Sequence, residues 1–351
     1  MSVLTTLFQD LAARLCSTEF LHEARHVDHP TAFSRSRKLP LATLVTLMLT
    51  GMRMSVQAEL DTFFGHLRQQ AQLVHEVSEQ AFAQARAKLS LTAIPRLNDW
   101  LIARAEQDRF VPRWHGLRLV AADASTMRFG LRASHVKRAA LADQILFGLF
   151  LPGPDLMLAA SLHNVHECGE RQFLFEHLDR LSPDDLLLLD RGYVCRWLVA
   201  VLNDRAIKFC MRVDNASGFT CVRTFMRSGA IKRLKHRLSL EHVTGLTQQA
   251  VAQDVAAKIV CDNLQALVAL TAHADADLPE TRRVNHAYAH TALKPLLPTL
   301  LLGAKIGRKV AALLRNLLDL IAGRTYQHRQ NLSKPRNPGQ KPHKNMCQKS
   351  C

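Results

Sequence analysis

Two stretches of this chain have the pattern of short buried strands that each end on an aspartate. In residues 118–126, Asp123 follows the apolar run Leu-Val-Ala-Ala. In residues 186–193, Asp190 follows four leucines, a pattern typical of a strand buried on both faces. A single aspartate at a strand end is usually a turn or cap residue. A pair at the edge where the chain leaves the sheet instead predicts an oxygen-rich site suited to Mg²⁺.

The segments around these aspartates predict the rest of an α/β domain. The strand-like segments are 145–150, 156–162 and 207–213, and the helical ones are 171–181 and 197–204. The order β-β-β-α-β-α-β is compatible with a ribonuclease-H-like core. In that core Asp123 on the first strand and Asp190 on the fourth would be neighbours. Nearby, His163, His166 and Cys168 match no standard zinc spacing, so ordinary loop hydrogen bonds are favoured there.

Residues 1–112 have a helical pattern throughout. Four leucines recur at helical spacing, namely Leu4, Leu7, Leu11 and Leu15. Residues 39–52 predict a buried helix, and Ser78 is a candidate N-cap for a helix through Leu89. A tight joint at 90–92 then leads into a helix ending near Glu106. This pair is either a helix-turn-helix, with Arg86 and Lys88 as candidate phosphate contacts, or an ordinary helical hairpin.

Beyond the sheet the pattern is helical again. Thr247 is a candidate cap for a helix with Val251, Val255 and Ile259 on one face, and residues 305–322 predict a last amphipathic helix. The segment from 324 to 351 has seven Lys or Arg, no acid and several prolines, so disorder is expected there. We therefore predict three parts: a helical region 1–112, an α/β domain with a helical C-terminal region 113–322, and a basic tail 323–351.

The charge balance points to a polyanionic partner. The 351 residues include 46 Lys and Arg against 30 Asp and Glu, which gives a net charge of +16. A basic but otherwise ordinary enzyme is the alternative. The N-terminus lacks a basic region before its apolar residues, and the apolar run 39–52 is too short to span a bilayer. A cytoplasmic protein without membrane contact is expected. Eight scattered cysteines without a C-x-x-C pair indicate reduced thiols.

Four motifs occur along the chain, and their order is more specific than any one of them. They are Gln-Ala-Phe-Ala-Gln-Ala-Arg-Ala-Lys-Leu at 80–89, Asp-Ala-Ser-Thr at 123–126, Asp-Arg-Gly-Tyr at 190–193 and Lys-Arg-Leu-Lys-His-Arg-Leu-Ser-Leu-Glu-His at 232–242. Together they resemble the Asp-Asp-Glu (DDE) transposases of bacterial insertion sequences, in the group named for insertion sequence four. The resemblance covers roughly residues 33–322.

This resemblance implies DNA transposition by Mg²⁺-dependent phosphodiester hydrolysis and strand transfer. Asp123 and Asp190 would be the first two catalytic acids and would bind the metal. The partners would be double-stranded DNA, both transposon ends and target, bound in part by the N-terminal region, and a second transposase copy. The candidate DNA-contacting residues are Lys235, Arg191, Arg237, Arg86 and Lys88.

The third acid of the family signature is missing. The family places a Glu seven residues before a Lys that matches Lys235, and Ser228 occupies that position. The β-rich insertion usual before this Glu is also absent. An internal deletion near 229–231, natural or an artefact of the gene model, would account for both. Glu241 lies roughly 20 Å further along the helix, so its substitution for the missing acid is not favoured. Asp204 and Asp214 are the other acids that could substitute, and they are not favoured either.

Three functions remain open from the sequence. The first is a transposase with a truncated catalytic domain and lost or severely reduced activity. The second is a non-catalytic DNA-binding protein that occupies transposon ends or inhibits full-length transposase in mixed dimers. The third is a decayed reading frame without a stable product.

Overall fold

The computed structural model describes residues 3–35, 38–70, 72–129, 139–141, 143–165, 169–193, 195–212, 244–245, 247–279, 281–303 and 307–327. Within these ranges the chain is a mixed α/β structure with a six-stranded mixed sheet and a set of helices. The predicted α/β class is confirmed. The proposed internal junction, Ser228, Lys235 and Arg237 lie outside the described residues, as does most of the basic segment from 207 to 240.

The N-terminal third is helical, as predicted. Its helices are α1 (Val3–Leu15), α2 (Thr18–Ala24), α3 (Leu41–Leu49), α4 (Val56–Leu67), α5 (Glu79–Arg86) and α6 (Ala93–Gln107). The four α1 leucines are buried. Helix α3 is shorter than the apolar run that predicts it, because it begins directly after Pro40 and ends at Leu49, just before Gly51 with its positive φ of 64°. Ser78 caps α5 by accepting a hydrogen bond from the Ala81 amide, and the helix ends at Arg86 rather than at Leu89.

The sheet has six strands, and two short helices lie between its later strands in the chain. The strands are β1 (Arg113–Trp114), β2 (Leu117–Arg128), β3 (Asp143–Leu151), β4 (Leu156–Asn164), β5 (Asp185–Leu189) and β6 (Lys208–Met211). Helix α7 (Glu170–Glu176) lies between β4 and β5 in the chain, and α8 (Arg196–Asp204) lies between β5 and β6. The predicted element order is confirmed. Helix α7 is shorter than predicted because a separate 3₁₀ turn, Leu178–Arg180, follows it.

The strand order is β4-β3-β2-β5-β6, and the short β1 pairs with the first two residues of β2. Strands β2, β3 and β4 form an antiparallel meander, whereas β5 and β6 run parallel to β2. The strand carrying Asp123 and the strand leading to Asp190 are therefore adjacent at the centre of the sheet, as predicted. The leucines of β5 are mostly buried, in agreement with a strand covered on both faces.

The C-terminal region returns to helices. They are α9 (Gln248–Asp275), α10 (His286–Leu293), α11 (Leu297–Leu302) and α12 (Gly307–Ala322). Thr247 caps α9 by accepting from the Ala250 amide, as predicted. The expectation of disorder is wrong for residues 325–327, because β8 (Thr325–Gln327) pairs antiparallel with β7 (Arg282–Val284). Residues 328–351 lie outside the described part.

Helix α9 is central to the core. It packs against α3, α6, α12 and strand β4, so the N-terminal and C-terminal helices share one hydrophobic core with the sheet. By length and composition this helix is apolar enough to cross a membrane, but 83% of its most apolar stretch is buried within the protein. Burial of that kind is typical of a core helix. The predicted boundary after residue 112 marks a change of secondary structure, and the three-part division stays a prediction.

Candidate functional site

The register of β2 on β5 aligns the two aspartates. The parallel ladder pairs Arg118 with Asp185 and continues residue by residue to Ala121 opposite Leu188. Two residues further on, Asp123 of β2 and Asp190, the residue directly after β5, occupy equivalent positions along the two neighbouring strands. The predicted strand end at Asp123 is wrong, because β2 continues to Arg128 and Asp123 pairs with Gly148 of β3 on its other side. Asp190, as predicted, stands just past the end of β5. Both carboxylates therefore emerge at the same edge of the sheet.

A buried ion pair holds this register at the opposite end of the strands. The Arg118 guanidinium donates to both carboxylate oxygens of Asp185, at 2.6 and 2.8 Å, and also to Glu106. Asp185 is fully buried and Arg118 is 8% exposed. A bidentate pair of this kind has a fixed geometry. A shift of β5 by one residue would break it.

One carboxylate oxygen of each aspartate accepts a hydrogen bond from the amide of the next residue. Asp123 Oδ1 accepts from the Ala124 amide at 2.9 Å, and Asp190 Oδ1 accepts from the Arg191 amide at 2.6 Å. A 3₁₀ turn, Arg191–Tyr193, begins there, and the Tyr193 amide donates to the Asp190 carbonyl. Asp190 therefore caps this turn, which is the role expected of an isolated aspartate. The Oδ2 atom of each makes no hydrogen bond to any described residue.

A third carboxylate, not singled out by the sequence, lies beside the pair. Glu170 is in the first turn of α7, and its Oε2 lies 3.3 Å from where a Cβ on Gly192 would stand. Arg171 ties the same helix to the same turn, because its Nε donates to the Gly192 carbonyl at 3.0 Å. The family order predicts the third acid beyond Asp190, so it does not indicate Glu170. The sequence feature that could have indicated Glu170 is a Glu at the start of the helix that follows β4, the third of the predicted strands.

Burial, together with neighbouring negative charge, raises the pKa of two of the three carboxyl groups, those of Asp123 and Glu170. Asp123 is exposed at one side, yet the atoms packed around its carboxyl desolvate it and raise its pKa to about 6, helped by the charges of Glu170 and Asp190. Desolvation and the charge of Asp190 likewise raise the pKa of Glu170. Beneath them the phenol of Tyr193 is 1% exposed, and burial followed by the charges of Glu170, Asp123 and Asp190 raises its pKa.

The donor chemistry of this site fits a hard divalent cation, because oxygen ligands with excess negative charge suit Mg²⁺. In the described part of the chain, however, no three Asp, Glu, His or Cys side chains converge closely enough to hold an ion between them. Exposed arginines border the acids. Arg191 is on the turn, and Arg212 Nη1 lies 3.8 Å from Asp190 Oδ1. Carboxylates and guanidinium groups therefore lie side by side in this part of the sheet, and guanidinium groups are suited to binding phosphate.

The remaining candidate residues are in other places. Arg86 is buried and paired with Asp254 of α9 at 2.7 Å, so its guanidinium is not available to a phosphate, contrary to the expectation from sequence. Lys88 lies on a cleft of about 960 Å³ that Arg35 and Lys38 also line. His163 stacks on Phe173 and contacts Ser161 Oγ at 2.6 Å.

The chain was compared with protein families, curated proteins and solved structures. No protein-family model matches it, and no curated protein matches it at a significant level. Among solved structures, it is similar to piggyBac transposase in a cryo-EM structure of its synaptic complex with hairpin DNA. The TM-score is 0.46 at 9% sequence identity, over 95% of this chain and 87% of that chain. So low a score and identity do not establish a common fold.

Proposed function

We propose that this chain is a DNA-acting transposase of the Asp-Asp-Glu type, with a ribonuclease-H-like core and Asp123 and Asp190 as divalent-metal ligands. The observation that carries the proposal is the equivalent position of the two aspartates on adjacent parallel strands. The strand order supports it, since three antiparallel strands followed by two strands parallel to the first is the order expected of that core. The group named for insertion sequence four is the finer assignment that the motifs favour.

In this proposal the aspartates would bind the metal ion and the arginines would bind DNA phosphates. Asp123 and Asp190 would hold Mg²⁺ through the oxygens that make no hydrogen bond to described residues. Bound there, Mg²⁺ would polarise a phosphodiester and activate the attacking oxygen. Arg191 and Arg212 would hold the phosphates on either side of the scissile bond. The excess of positive charge over the whole chain, +16, would bring DNA to this edge.

Strand cleavage by this chain is proposed to be severely reduced. The family's third acid is replaced by Ser228, and a two-metal mechanism needs several carboxylates to hold ions about 4 Å apart. The second candidate function is DNA binding without catalysis, which would occupy transposon ends or inhibit a full-length transposase through mixed dimers. The specific observation favouring it is the lack of three converged metal ligands among the described residues.

The direct test is cleavage of supercoiled plasmid DNA that carries the gene with its flanking sequence. The full chain is incubated with Mg²⁺ or Mn²⁺, and nicking is compared with that of Asp123→Asn and Asp190→Asn. The transposase proposal expects slow nicking that both substitutions abolish. Asp184→Asn is the matched control, because Asp184 is exposed directly before β5, at the far end of the strand from Asp190.

A second measurement separates the two candidate functions. If no nicking occurs, binding of the same flanking DNA is measured over a range of salt concentrations. Salt-dependent binding that Asp190→Asn leaves unchanged supports the non-catalytic protein. Nicking that persists in both aspartate variants, or the failure of the chain to bind DNA at all, contradicts the transposase proposal.

A further inference from the structure

We infer that Phe175 and Trp197 form a stacking surface for an unpaired nucleobase at the end of a DNA strand. The inference rests on the proposed function and adds a ligand class to it, namely single-stranded DNA held by ring stacking as well as by charge. Neither ring belongs to the four motifs that indicate a transposase. The surface concerns how a strand end is held, independently of any metal ion.

The two rings form a pair that remains open to solvent. Their centroids are 5.6 Å apart and their planes are inclined at 69°, close to an edge-to-face arrangement. Phe175 is 41% exposed and Trp197 is 43% exposed, whereas their neighbours in the chain, Leu174 and Leu198, are buried and anchor the two helices. Each ring thus limits the movement of the other, and a large part of both stays accessible. An accessible aromatic ring of restricted mobility suits stacking on a base.

The pair lies beside the turn that follows Asp190. The start of α7 is held to this turn, because Arg171 Nε donates to the Gly192 carbonyl at 3.0 Å. Phe175 is one turn further along α7, about 6 Å from Arg171 along the helix axis. Helix α8 begins shortly after the same turn and carries Trp197 at its start. Both rings are therefore carried by helices that flank the turn, so a strand end at the candidate site would pass close to them.

The charges around the turn suit the phosphates of such a strand. Arg171, Arg191 and Arg212 are all exposed there, and they offset the three carboxylates of the candidate site. Glu176 is exposed and directly follows Phe175, so it would repel a phosphate at that end of α7. The sugar–phosphate backbone would therefore run on the arginine side, with a base turned towards the rings. Basic side chains beside aromatic ones are the combination that holds single strands.

The test is a double-mutant cycle between ring and base, measured by fluorescence anisotropy with the full-length chain in EDTA. One probe is a labelled duplex with a short thymidine overhang, and the other is the same duplex with abasic sites in the overhang. The two probes have equal charge and differ only in the unpaired bases. Trp197→Ala should weaken binding of the thymidine probe about tenfold and leave binding of the abasic probe unchanged. Trp197→Phe keeps a ring and should lose less.

Trp114→Ala is the matched control. Trp114 is 52% exposed and also has an edge-to-face partner, His115. It lies in β1, which pairs with the start of β2, at the far end of that strand from Asp123. Its affinity for both probes should match that of the unsubstituted chain, and a loss equal to that of Trp197→Ala would overturn the inference. Thermal melting of each variant confirms that it is folded at the temperature of the measurement.

The outcomes distinguish this inference from the proposed function. If Trp197→Ala weakens both probes equally, or neither, the stacking surface is overturned while DNA binding stands. If neither probe is weakened and Trp197→Ala changes the sedimentation coefficient of the chain, the rings are a protein contact instead. Failure of the unsubstituted chain to bind either probe overturns the inference together with the proposed function.

Discussion

Asp123 and Asp190 each lie five residues beyond a partner of one buried ion pair, Arg118 and Asp185. The pair stands at the start of the parallel ladder and the two aspartates stand past its end. A salt bridge that fixes the strand register therefore also fixes the relative position of the candidate metal ligands. The ion pair at one end of the two strands thus determines where the two aspartates stand at the other end.

The first prediction concerns that ion pair. Asp185→Asn leaves the Arg118 guanidinium buried without its main counter-charge, and we expect the free energy of unfolding to fall by about 3 kcal/mol. Urea unfolding at neutral pH measures this change. The exposed neighbour substitution Asp184→Asn should change the free energy by less than about 0.5 kcal/mol. A small effect of Asp185→Asn would show that the pair does not secure the register.

The second prediction concerns pH and Asp123. Because the folded protein raises the pKa of this carboxyl from its ordinary value of 3.8 to about 6, folding favours the protonated form. The charged form therefore destabilises the fold progressively as the pH rises from about 4 to about 6, and fully above that. Asp123→Asn removes this cost. Its melting temperature should exceed that of the unsubstituted chain at pH 7.5, and the difference should vanish near pH 4.

The control for this experiment is again Asp184→Asn, whose melting temperature should follow the unsubstituted chain at both pH values. A lower melting temperature of Asp123→Asn at pH 7.5 would mean that the charged carboxylate stabilises the fold. The carboxylates would then not repel one another, and the case for a cation between them would be lost.

The third prediction separates the roles of Arg86 and Lys88. Arg86 contacts Asp254 from 168 residues away and is buried, so Arg86→Met should lower the free energy of unfolding by about 3 kcal/mol. Lys88 lines the basic cleft, so Lys88→Ala should leave stability nearly unchanged. It should reduce the slope of log affinity for duplex DNA against log salt concentration by about 1.

In the same salt titration, Arg86→Met should keep the slope of the unsubstituted chain at temperatures where it is folded. A reduced slope for Arg86→Met with an unchanged one for Lys88→Ala would reverse the assignment. In that case Arg86 would contact DNA, as the sequence suggests.

Local features of the fold were predictable because they depend on neighbouring residues. The leucine spacing of α1, the capping side chains Ser78 and Thr247, and the apolar strands before Asp123 and Asp190 all act over a few positions. Even the adjacency of the two aspartates followed from element order. Connections between parallel strands leave few arrangements to consider.

Features that depend on distant partners were not predictable. The burial of Arg86 is decided by Asp254 on α9, and nothing near Arg86 in the sequence signals this partner. Glu170 is placed by contacts between the start of α7 and the turn at Gly192, which only the folded chain shows. The early part of the basic tail likewise looks disordered by composition, but β8 pairs with residues 282–284.

The central claim is that Asp123 and Asp190 hold one divalent ion together. A double-mutant cycle of Mn²⁺ affinity tests it most directly, using Asp123→Asn, Asp190→Asn and the double variant in the full-length chain. If both bind the same ion, each single substitution should remove most of the affinity and the double variant should lose little more, because contacting groups are not additive. Independent, additive losses, or an affinity that neither substitution changes, would contradict the shared site.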